Sequence, residues 1–79
     1  MTYLSDMIAD DTHALDKIIA ESGKGPNSLA AYISQVRHTV ALAHEIPDGD
    51  VLESIHEIAR GYDQGVSVRA MAEGMGARR

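Results

Sequence analysis

Between Leu4 and Ser22 the apolar residues recur with a helical period. At about 100° per residue, Leu4, Ile8, Leu15 and Ile19 share one arc and Ile18 sits at its edge, while Asp6, Asp10, His13, Lys17 and Glu21 share the opposite arc. The pattern predicts an amphipathic helix closed by Gly23. Asp11 interrupts it, projecting between Ile8 and Leu15. Either the helix restarts there, with Asp11 or Thr12 as a cap, or Asp11 is buried beside a cation such as Arg37 or Arg60.

Gly23-Lys24-Gly25-Pro26-Asn27 reads as a connector, since glycine tolerates positive φ and the residue before proline avoids the α region. Asn27 or Ser28 then caps a second helix running to about Glu45, with Leu29, Ile33, Val36, Val40 and Ala43 as its inward stripe. Its other side is unusual: from Ser28 to Ile46 the only formal charges are Arg37 and Glu45. Ala31, Gln35, His38 and Leu42 form a weakly polar back with a leucine opposite the core stripe. A helix so poor in charge is expected to be covered on more than one side.

Pro47-Asp48-Gly49-Asp50 is a turn, and Asp50 with Glu53 has the spacing of a capping box, so a third helix is expected from Val51 to a C-terminal cap at Gly65. Val51, Leu52, Ile55, Ile58, Ala59 and Tyr62 make its apolar face. Ser67 can cap a short fourth helix, Val68 to about Met75, with Val68, Met71, Ala72 and Met75 inward and a loose Ala77-Arg78-Arg79 tail after Gly74 and Gly76. No segment alternates with the period of a strand. The fold expected is all-α, a compact bundle of about four helices in which three main helices are followed by a short C-terminal one. Residues 1–79 form a single small helical domain.

Composition sharpens this. A chain of 79 residues has room for one core, and without Phe or Trp that core is thin, so association is a natural source of extra stability. The formal charge of −5 argues against a general nucleic-acid or anionic-membrane binder. With no Cys there is neither a disulfide framework nor a Cys-ligated metal site. No apolar run approaches the roughly 20 residues of a membrane span, and the start lacks the basic residues of a signal peptide, so a cytoplasmic protein is expected. Charge is also uneven. From Glu45 to Asp63 six carboxylates face Arg60 alone, whereas Arg69, Arg78 and Arg79 make the C-terminal end basic.

Gly65-Val66-Ser67-Val68-Arg69-Ala70-Met71-Ala72-Glu73-Gly74-Met75-Gly76 resembles the first helix and turn of a helix-turn-helix of the resolvase or repressor kind. Met71-Ala72 and Met75-Gly76 match the positions that in that family allow close helix approach and a left-handed turn. The resemblance implies DNA binding by an abbreviated helix-turn-helix within residues 51–79, with Arg69, Arg78 and Arg79 on phosphates. The recognition helix of that family would begin after Gly76, where three residues remain.

Chemistry-bearing patterns are sparse. No two of the four histidines stand four apart on a helix, and Asp10, His13 and Asp16 offer at most a solvated cation contact, so neither a metal nor another cofactor is expected. There is no nucleophile elbow or phosphate-cradling loop, and Ser54 and His56 point to different arcs. The reading that remains is a non-enzymatic, acidic protein-binding or regulatory module. It is expected to bind itself as a homodimer through Ala31, Gln35, His38 and Leu42, together with a further protein partner. Chains of this size and composition are common among inhibitors, antitoxins and accessory proteins of phages and mobile elements. DNA binding is the alternative.

Overall fold

The computed structural model describes the backbone of residues 3–78 and the side chains of residues 10–78. It is all-α: α1 (Tyr3–Glu21), α2 (Leu29–His44), α3 (Asp48–Glu53), α4 (Ile55–Asp63) and α5 (Val68–Ala77), with no strand among the described residues. The core is a single cluster built from Leu15 of α1, Tyr32, Ile33, Val36 and Val40 of α2, and Ile46 in the following link. Val51, Ile58, Met71, Ala72 and Met75 of the last three helices complete it. Leu4, Ile8 and Asp6 of the expected first-helix pattern have side chains outside the described residues.

α2 is the central element, packed by α1, α4 and α5, while α3 lies against α1. Its start follows the expected chemistry, and Ser28 rather than Asn27 is the cap: the Ala31 amide donates to Ser28 Oγ at 3.1 Å, and Ser28 Oγ donates to the Gly25 carbonyl at 2.8 Å. The inward stripe holds at Ile33, Val36 and Val40, with Leu29 half-buried. Ala43 departs from it and is exposed. The last turn presents His44 inward instead, its ring lying against Gly76 of α5.

Three expectations about the helices are corrected. The first helix does not restart at Asp11, because α1 runs unbroken from Tyr3 to Glu21. The Asp11 carboxylate is instead accommodated by Gly49, where a Cβ would stand 2.7 Å from Asp11 Oδ2. Arg37 is committed to other carboxylates, as described below. Second, the third helix begins at Asp48 rather than Val51 and bends at Ser54 into α3 and α4. Pro47, in extended conformation, accepts the amides of Asp50 and Val51 on its carbonyl, so the first turn forms one residue after the proline. Asp50 therefore lies inside the helix, and the expected capping box does not form its start. Ser54 accepts Ile58 N–H while its own φ of −95° and ψ of 11° turn the axis, which lets α3 pack on α1 and α4 on α2.

Third, the C-terminal end is held. α5 is capped as expected, with the Ala70 amide donating to Ser67 Oγ at 3.1 Å, but it continues through Gly74 and Gly76 to Ala77. Burial of Met75, the His44–Gly76 contact and Arg78 hold it there. At the close of α4 the expected glycine cap is present: Gly65 has φ 77°, its amide donates to Tyr62, and Val66 donates to Gly61 at 2.8 Å, the paired bonds of a Schellman motif.

Candidate protein-interaction surface

The outer face of α2 is built by subtraction. Ile33, Val36 and Val40 turn inward, and at about 100° per residue this leaves Ala31, Gln35, His38 and Leu42 on the far side. Ala31 is half-buried, while Gln35 and His38 are exposed. Leu42 is 73% exposed, the large apolar side chain most open to water among the described residues. Gln35 also borders a hollow of about 180 Å³ beside Tyr32 and Tyr62, whose rings meet at 5.5 Å and 60°.

Arg37 does not charge this face. Its Nε and Nη2 donate to Asp48 Oδ1 and Oδ2 at 2.9 and 2.7 Å, and Nη1 reaches Asp16 Oδ1 at 2.6 Å. Thr12 Oγ1 donates to Asp48 Oδ2 at 3.0 Å. This clasp ties α1, α2 and α3 together through a two-pronged guanidinium–carboxylate pair. The Arg37 bonds outweigh burial and hold the Asp48 carboxyl below the usual carboxylate range, and Asp48 in turn pushes Arg37 further above its ordinary value. By drawing Arg37 toward α1 and α3, the clasp leaves the α2 outer face without a full charge until Glu45. The pairing was not anticipated; its one visible signal was the isolation of Arg37 in a charge-poor helix.

The basic residues are engaged rather than splayed toward a groove of DNA. Arg69 Nε donates to Glu73 Oε1 at 3.2 Å within α5. Arg78 Nη1 donates to Glu57 Oε1 at 2.8 Å, its Nη2 pairs with Glu57 Oε2, and its Nε reaches the Gly74 carbonyl at 3.3 Å. Arg79 lies outside the described residues. Gly76 does not make the turn that the helix-turn-helix resemblance implies: it is inside α5, and the glycines with positive φ are Gly23, Gly25 and Gly65. Packing of α5 on α2 keeps the helix going where the resemblance would turn it.

An open groove of about 680 Å³ lies where the end of α2 and the start of α3 meet α1. Ala41 and Leu52 contribute apolar surface above the buried Ile46, and Asp11, Asp50 and Glu53 contribute carboxylates. Among the described residues no group of three or more His, Cys, Asp or Glu side chains is arranged to hold a metal, and no helix is long and apolar enough to cross a membrane. The surfaces on offer are thus apolar or negatively charged. No family model, curated protein or solved structure compared with the chain matches it.

Proposed function

We propose that this protein is a small, non-enzymatic, cytoplasmic protein-binding module of the inhibitor, antitoxin or accessory type, and that it self-associates through the outer face of α2. The observation that carries the reading is Leu42, 73% exposed on a helix face whose neighbouring positions are small or uncharged. Burying such a leucine yields roughly 2 kcal/mol per copy, and a two-fold pairing of helices buries it twice. Ala31 keeps side-chain bulk low on this face, which lets two backbones approach, and charge depletion is typical of the centre of an interface. DNA binding has less support, because contact through Arg69 or Arg78 would compete with an ion pair that each already makes.

Light scattering at high micromolar concentration tests this. The wild type is expected at dimer mass and Leu42→Glu at monomer mass with an unchanged helical melting curve. A monomeric wild type, or a variant as large as the wild type, overturns the α2 contact. Nucleic acid co-eluting with the protein from its host would favour the DNA reading instead.

A further inference from the structure

We infer that the groove between α1, the end of α2 and α3 receives a cationic amphipathic segment of the partner protein, an apolar ridge flanked by Lys or Arg. The inference rests on the protein-binding reading but not on self-association through α2. Two properties of the groove select this occupant. Its volume of about 680 Å³ is enough for several side chains, and Ala41 and Leu52 above the buried Ile46 give it an apolar floor that a small hydrated cation would not use. Its charged lining among the described residues is of one sign: Asp11, Asp48 and Glu53 bring carboxylates to it, and no described Lys, Arg or His lines it.

Arg37 neutralises Asp48 from behind, which leaves the Asp11 and Glu53 carboxylates as a negative rim beside the apolar centre. Nucleic acid and acidic peptides are repelled by this arrangement, and a fully polar basic chain would leave the floor wet. A segment that places leucine-like side chains on the floor and cations on the rim satisfies both parts. Steering by the surrounding acidic stretch from Glu45 to Asp63 would speed its arrival, more so at low salt.

The probe is a synthetic amphipathic helix with leucines on one face and lysines on the other, compared with a peptide of the same composition whose leucines are dispersed. Titration followed by amide chemical shifts is expected to move Ala41, Gly49 and Leu52 first. The dispersed peptide should bind at least about tenfold more weakly, a difference of about 1.4 kcal/mol. Ala41→Gln, at an exposed helical position, fills the floor without adding charge, and Glu53→Lys reverses the rim. Each should weaken the amphipathic probe about tenfold or more while leaving the melting curve in place. Equal binding of the two peptides, shifts centred on His38 and Leu42, or indifference to both substitutions would overturn the inference. Light scattering on the same samples separates the two proposals. A dimer that ignores the probe loses only the groove, and a monomer that binds it loses only the α2 contact.

Discussion

Tyr32 carries a hydroxyl that is buried without a hydrogen-bond partner, close to the backbone of Gly61, where a Cβ would come within 3.2 Å of it. Burial also pushes its phenol above the ordinary value, since the ionised form has no water there. An orphaned polar group of this kind costs free energy, so Tyr32→Phe should stabilise the protein, by up to about 1 kcal/mol in urea unfolding. Tyr62 is the control at the neighbouring ring. Its hydroxyl donates to the Asn27 carbonyl at 2.6 Å and pins the α1–α2 connector to α4, so Tyr62→Phe should cost about 0.5–1 kcal/mol. If both variants move in the same direction, the orphaned hydroxyl is not what distinguishes them. Glu45 gives a second contrast at this scale, with φ 55° where α2 ends and its own amide and that of Ile46 both donating to Val40. Glu45→Val should be about 1 kcal/mol less stable than Glu45→Gly, because the loss of the glutamate is common to both and only the left-handed backbone tells them apart.

Local signals fix the elements where one residue controls an end, and fail where two distant segments do. Ser28, Ser67 and Gly65 act as caps from their side-chain or backbone chemistry alone, so those helix ends were legible in the sequence. The bend at Ser54 was not, because Asp50 and Glu53 mimic a cap while the actual start depends on the Pro47 carbonyl and on α3 finding α1. α5 was underestimated for a related reason: its glycines weaken it in isolation, and the contacts that hold it come from His44 and Glu57. The two glycines should therefore respond oppositely. A Cβ at Gly74 meets nothing within 4 Å, so Gly74→Ala should add about 1 kcal/mol through helix propensity alone. A Cβ at Gly76 would stand 2.5 Å from His44 Nδ1, so Gly76→Ala should lower stability by about 1–3 kcal/mol through overpacking. Thermal melts of both variants check this, and a stabilised Gly76→Ala would mean that α5 does not rest on the His44 ring.

Across the whole molecule the α2 outer face was legible because it follows from one helix's periodicity, whereas the groove and the clasp need three helices to meet. The sequence suggested Arg37 or Arg60 only as a partner for Asp11, and Asp16 and Asp48 come to Arg37 once α1 and α3 are placed. The clasp makes a global prediction about acid. Asp48 has its carboxyl held below the usual range, first by the Arg37 bonds and also by Thr12. A carboxylate depressed in the folded state stabilises folding above its unfolded value, near about 4, and that contribution is lost as pH falls through the folded value. Arg37 stays charged throughout, so Asp48 sets the window. At neutral pH, Arg37→Ala should cost about 2 kcal/mol because it strands the partly buried Asp48, while Asp16→Asn should cost under about 1 kcal/mol because Asp16 is 58% exposed. Urea stability of the wild type and Asp48→Asn should differ most above about pH 5 and converge toward pH 2, as protonation removes from the wild type what the substitution has already removed. A gap that stays constant down to pH 2 would show that Asp48 contributes through packing and not through its charge.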